Sequence, residues 1–289
     1  MIRLILLETG NLMLDGGAMF GTTPKSVWHK LYPEVRNNLT NWAMRSLLLD
    51  CEDRKILIDA GIGPFMRSYF SRIYHLNGED TLEKSMEQAG YSPEDITDVI
   101  FTHLHFDHCG GGIRQGTHQD EWIPAFPKAT YHISRVQWET ANHPSLREKS
   151  SFLKESFLPI QTHHQLHLLD PELERDLEPE LVPELELRQV HGHSPGQLIP
   201  FIHTPEKTYV FAADLLPSAA HLPLQHTMAY DLNPALSVIE KKNLLREAEK
   251  MSYALILQHD LYYSCLDFRI NEKTGKTEVV RGPLSSVSQ

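Results

Sequence analysis

The sequence predicts a mixed α/β fold with strands and helices in layers. Three observations carry that expectation. Short runs rich in Leu and Ile, of strand length, alternate with stretches of helical character. Hairpin signals recur along the chain, among them the turns at "TPEK" and at "NEKTGK". Finally, "VIFTHLHFDHCGGG", Val99 to Gly112, crowds His103, His105, Asp107 and His108 directly after an apolar run. No repeat period and no linker stand out, so a single domain over residues 1–289 is expected.

The individual elements follow in order. Ile2–Leu7, Ser46–Asp50 and Lys55–Asp59 read as strands, and the glycine-punctuated Gly16–Trp28 segment reads as a loop. Asp80–Ala89 reads as a helix stopped by Gly90, and Ser92-Pro93-Glu94-Asp95 as a helix start with a cap and a proline at its first position. Asp98–Thr102 is then a buried strand that delivers the histidine motif at its carboxyl end. Ala129–Ile133 is a further strand, followed by helical stretches at Arg135–Ala141 and Phe152–Leu158.

The segment Asp170–Val190 is biased to Glu, Leu and Pro. Its prolines forbid a long helix, so it reads as a solvated acidic loop up to a strand at Glu186–Val190. Leu198–His203 and Thr208–Ala213 form a hairpin. Asn233-Pro234 caps a helix to about Tyr253, Leu255–Gln258 is a strand, and a last hairpin precedes a frayed "SSVSQ" end.

Composition narrows the function classes. The chain has 289 residues, enough to bury a sizeable core, and its net charge of −11 argues against a nucleic-acid or anionic-membrane footprint. The opening "MIRLILLETG" holds too short an apolar run for a signal peptide, and no later run could span a bilayer. Cys51, Cys109 and Cys265 are odd in number and scattered, so no disulfide framework is expected and the protein reads as cytoplasmic. Histidine is abundant, at 17 residues.

Metal chemistry explains the crowding. Imidazole and carboxylate are ligands for zinc and similar divalent ions. On an extended segment His103 and His105 point to one side, while the adjacent Asp107 and His108 diverge and can serve a second centre. H-x-H-x-D-H therefore reads as half of a two-metal site. Further candidates stand at comparable places: His193 in "VHGHSPGQ", Asp214 in "VFAADLLP" and His259 in "LILQHD", each following a strand. His191, His132, His203, His163 and His164 read as structural or supporting, and Cys109 as a packed thiol.

With these residues in place the chain resembles the metallo-β-lactamase-fold superfamily, whose binuclear hydrolases share H-x-H-x-D-H, then G-H-x-P-G, a bridging Asp and a final His. The resemblance implies an αββα sandwich, two mixed sheets flanked by helices. It implies one metal on His103, His105 and His193, a second on Asp107, His108 and His259, and Asp214 bridging them. The cofactors implied are two divalent ions, Zn2+ with Mn2+ or Fe2+ as alternatives. Asp214 stands where the zinc β-lactamases carry Cys, which turns the expectation away from antibiotic hydrolysis.

The segments Leu14–Trp28 and Ala213–Pro234 resemble the quorum-quenching N-acyl-homoserine lactonase subgroup, with methyl parathion hydrolase as a wider relative. Met19 and Phe20 would then form an apolar wall for the substrate. The implied function is lactone-ring opening by a metal-bridging hydroxide, with Asp107 holding or shuttling a proton. Alternatives are an organophosphate or aryl ester hydrolase on the same site, or a mononuclear-iron oxidoreductase of persulfide dioxygenase type.

Two departures stand out. Pro217 occupies the place of a lactonase Tyr, leaving Tyr230, His221 or His226 as substitutes in stabilising the oxyanion, and Gln197 stands where the family often has His. The expected partner is a small-molecule lactone or ester, with no nucleic acid and no membrane. The apolar amino-terminal loop is compatible with a homodimer.

Overall fold

The computed structural model describes residues 2–63, 73–118, 121–170, 181–271 and 277–281. The acidic stretch 171–180, the turn 272–276 and the "SSVSQ" end lie outside the described residues. The chain gathers into two compact units, one from residues 2–12 and the described part of 43–170, the other from residues 13–42 and the described part of 181–281. No helix among the described residues is long and apolar enough to cross a membrane.

The first unit is organised by a six-stranded sheet. The strands of this sheet, all but the end of β1 and the start of β2 within that unit, are β1 (Arg3–Asp15), β2 (Leu39–Cys51), β3 (Arg54–Ile58), β4 (Asp98–Ile100), β7 (Thr130–Ser134) and β8 (Leu166–Leu169). They run in the order β1-β2-β3-β4-β7-β8, and a separate ribbon pairs β5 (Ile113–Gln115) with β6 (Trp122–Pro124). β2 and β3 form an antiparallel hairpin, whereas β3, β4, β7 and β8 are parallel.

Parallel strands covered on both faces need continuous apolar runs, and Val99, Ile100 and Phe101 are each 0% exposed. Parallel neighbours also need crossovers, which here carry helices. Helix Leu82–Gln88 lies between β3 and β4, its amino end capped by the Thr81 side chain accepting from Lys84 N, and Gly90 follows at φ +85°. Helix Arg135–Asn142 lies between β7 and β8 and is capped in the same way by Ser134.

The second unit has its own six-stranded sheet. β9 (Leu185–Val190), β10 (Gln197–His203), β11 (Thr208–Phe211), β12 (Ala254–Ile256), β13 (Cys265–Ile270) and β14 (Thr277–Arg281) stand in the order β14-β13-β12-β11-β10-β9. β10 and β11 form the expected hairpin, and β13 pairs antiparallel with β14. β11 and β12 are parallel, and the long helix Pro234–Met251 lies in the connection between them. Asn233 accepts from Leu236 N at its start, with Pro234 in the first turn. The fold class is thus mixed α/β, with helices accompanying both sheets.

Three expectations need correction. The Gly16–Trp28 loop contains two short helices, Gly16–Phe20 and Lys25–Trp28. Asp15 accepts from Ala18 N to start the first, and the buried Phe20 and Trp28 anchor the pair. Ser92–Asp95 supports a single 3-10 turn, Pro93–Asp95, because Ile96 is already extended on the way into β4. The helical stretch Phe152–Leu158 breaks into the turn Lys154–Ser156 and the helix Leu158–Thr162, where Pro159 starts a new first turn. The reading also missed β5, β6 and β8, which are three or four residues long and too short to show a period.

Candidate metal centre

In the first unit, Asp59 organises the histidine motif. It follows β3 with φ +56° and is 0% exposed. Its carboxylate accepts from Thr102 N and Thr102 Oγ1, both at 2.8 Å, and meets His108 Nδ1 at 2.9 Å. Thr102 Oγ1 lies 3.1 Å from His103 Nδ1, and Glu148 Oε1 lies 3.3 Å from His105 Nε2. Each imidazole therefore has one nitrogen engaged by a supporting residue.

The remaining nitrogens converge. His103 Nε2 and His105 Nδ1 are 3.0 Å apart, and His108 Nε2 is 3.8 Å from Asp107 Oδ2. That is how proteins orient metal-ligating histidines: an outer partner fixes the tautomer and ring orientation. The glycine run serves close approach, since a Cβ on Gly111 would lie 2.1 Å from the Ala60 carbonyl oxygen. Cys109 is a packed thiol, donating to Leu104 O, and burial pushes it up to about 12.

The second unit repeats the design. His193 Nδ1 meets Asp231 Oδ1 at 2.9 Å, and its Nε2 meets Asp214 Oδ2 at 3.1 Å. The other oxygen of Asp214 is 3.0 Å from His259 Nε2. One carboxylate thus presents an oxygen to each of two histidines. Burial opposes charge on His193, but the carboxylates of Asp214 and Asp231 outweigh it and raise its pKa to about 10. This buried, acidic set of nitrogen and oxygen donors fits a divalent cation.

The loop bearing His193 is held from the long helix. Glu240 accepts from His191 N and Gly192 N at 2.8 and 2.9 Å, and a Cβ on Gly192 would strike Ser237 N at 2.4 Å. The first unit therefore brings together His103, His105, Asp107 and His108, and the second His193, Asp214 and His259. Asp59, Glu148 and Asp231 were missed. Asp59 ends a strand visible in the sequence, whereas Glu148 and Asp231 lie in segments with no local signal.

Asp59→Asn is expected to weaken metal retention about 10- to 100-fold, because an amide keeps one accepting oxygen and turns an NH2 group towards Thr102 or His108 where a carboxylate oxygen now accepts. Competition with a chromophoric chelator would measure it, and unchanged affinity would deny Asp59 this role.

Other candidates have different surroundings. His221 is corrected to a structural residue: Ser218 Oγ is 2.7 Å from its Nδ1, its Nε2 donates to Met19 O at 2.8 Å, and no nitrogen remains for an oxyanion. Met19 and Phe20 are 2% and 0% exposed, and Phe20 packs in the interior of its unit. Phe20 stacks on Trp28 and on His221, with centroids 5.5 and 4.6 Å apart. His226 Nδ1 donates to Ala220 O, and Tyr230 is 40% exposed.

Burial lowers the His221 pKa to about 3, against an ordinary 6.5. Between those values the unfolded chain binds a proton that the folded chain refuses. Its contribution to stability is therefore full above 6.5 and falls as pH drops towards 3, by up to about 1.4 kcal/mol per pH unit. His221→Gln should flatten this acid limb in urea titrations run across that range. An unchanged slope would count against a buried neutral ring.

The comparisons agree with this picture. The metallo-β-lactamase superfamily profile matches residues 45–259. An N-acyl homoserine lactonase of Bacillus thuringiensis is 29% identical over 214 residues, 70% of each chain. A probable metal-dependent hydrolase from Staphylococcus aureus superposes with a TM-score of 0.85 at 27% identity, covering 98% of both chains. A dizinc quorum-quenching lactonase shares the fold, with a TM-score of 0.78 at 19% identity over 99% of this chain and 96% of its own. By profile, donor set and fold, the chain belongs to the metallo-β-lactamase superfamily, as a hydrolase of that family.

Proposed function

We propose that the chain is a binuclear-metal hydrolase that opens lactone rings of the N-acyl-homoserine lactone type. One observation carries the metal reading: the Asp214 carboxylate divides its two oxygens between His193 Nε2 and His259 Nε2. The proposed ligands are His103, His105 and His193 for one ion, and Asp107, His108 and His259 for the other, with Asp214 shared. The all nitrogen and oxygen donor set favours zinc. Because the family profile draws on residues of both units, the chain is read as one hydrolase domain. The lactone is supported by the 29% identity to an N-acyl homoserine lactonase.

When bound, two such cations lower the pKa of water and polarise an ester carbonyl. The protein supplies orientation and proton handling. Asp59, Thr102, Glu148 and Asp231 fix the imidazoles, so that little reorganisation is needed during reaction. Asp107 is the carboxylate suited to hold a proton: its side chain is 15% exposed, against 9% for Asp214 and 0% for Asp59. A proton leaving the attacking water can rest on Asp107 and pass to the ring oxygen as the C–O bond breaks.

Mass spectrometry of N-acyl-homoserine lactones incubated with metal-loaded protein tests the proposal. Gain of one water is expected with the wild type, and a loss of turnover on the order of 10²-fold or more with Asp107→Asn. Intact lactones in the presence of a full metal complement would refute the lactone assignment, and phosphotriesters and aryl esters would be tried next.

A further inference from the structure

A second cluster lies on the sheet of the first unit, formed by side chains that the proposed centre does not use. Asp98 opens β4, His132 lies on β7 and His167 on β8, the edge strand of that sheet. His132 and His167 are register partners across the parallel β7–β8 pair. Asp98 and His132 are 4% and 6% exposed, and buried polar groups of this kind persist only with partners. His167 is exposed.

The carboxylate of Asp98 is heavily engaged. His132 Nε2 lies 2.9 Å from Oδ1, Thr97 Oγ1 donates to Oδ2 at 2.7 Å, and Arg54 Nη1 is 3.5 Å away. Burial pushes the Asp98 pKa up, but the bonds from His132 and Thr97 and the charges of His132 and Arg54 outweigh it and hold it below the usual range. An ionised carboxylate can only accept, so the proton between the two groups sits on His132 Nε2.

That assignment directs the other nitrogen. His132 Nδ1 lies 3.0 Å from His167 Nδ1, with the rings perpendicular at 90°. Two lone pairs do not face each other at that distance unless a proton or a cation stands between them. An acid that engages one nitrogen of a ring and turns the other towards a further donor group is also the arrangement at His108, between Asp59 and Asp107, and at His193, between Asp231 and Asp214.

We propose that His132 and His167 form an accessory site for a zinc-class divalent cation, with Asp98 orienting His132. The ion fastens the edge strand β8 to β7. β8 is four residues long, so a cross-strand link adds substantially to what holds it. The exposure of His167 lets water complete the coordination. Two protein ligands give weaker binding than a closed site, so the cation exchanges readily. This site uses none of the residues of the lactonase proposal and stands or falls separately from it.

Calorimetric titration of Zn2+ into the full chain tests the site by comparing wild type with His167→Gln, a change at an exposed position. The wild type should bind one equivalent more than the variant, and added Zn2+ should raise its unfolding temperature further than that of the variant. Asp98→Asn should keep the extra equivalent and weaken it about 10- to 100-fold. Equal stoichiometry and equal thermal shifts in wild type and His167→Gln would overturn the proposal, leaving a hydrogen bond between the two rings.

Discussion

Asp214→Ala is expected to strip the protein of bound metal and to reduce kcat/KM by more than about 10²-fold, beyond the 10- to 100-fold typical of losing a supporting residue. The geometry gives the reason. The two oxygens of Asp214 meet His193 Nε2 at 3.1 Å and His259 Nε2 at 3.0 Å, so one substitution removes a donor from both sides of the shared position. It also leaves two buried imidazoles, 2% and 4% exposed, without the carboxylate between them. Metal content by mass spectrometry and lactone hydrolysis by titration of released acid would be read together, with circular dichroism to verify folding. A variant that kept two metals per chain and ordinary turnover would remove Asp214 from the centre.

Phe20→Ala is expected to lower stability by about 3–5 kcal/mol, the usual cost of truncating a buried aromatic residue. Phe20 is 0% exposed and stacks on Trp28 and His221, with Tyr32, Trp42 and His226 also in ring contact. The substitution would open a cavity among rings that cannot readily collapse. Urea unfolding measures the loss. The same variant decides between two roles, because a substrate wall would change KM and acyl preference while stability stayed near wild type. A stable variant with altered substrate preference would restore the wall.

Local signals made much of the architecture legible. Val99-Ile100-Phe101 is apolar without interruption because β4 lies between parallel neighbours, and that run announced the strand and the motif after it. Asn233-Pro234 announced the long helix, because a side-chain cap and a preset φ act within one turn. The expected helical stretch Phe152–Leu158 holds only the 3-10 turn Lys154–Ser156, and the helix begins at Leu158, because Pro159 fits the first turn of a helix and not its interior.

What the sequence by itself determined is the chemistry of the candidate donors and their order: His103, His105, Asp107, His108, His193, Asp214 and His259. Ligand type and close spacing are properties of neighbouring residues, so they survive in a one-dimensional reading. Tertiary structure alone decided which nitrogen of each ring a supporting residue engages. That depends on Asp59, Glu148 and Asp231, brought to His108, His105 and His193 from 49, 43 and 38 residues away. It also decided that His221 is a neutral interior ring and that His132 meets His167, because packing and long-range hydrogen bonds leave no trace in local sequence.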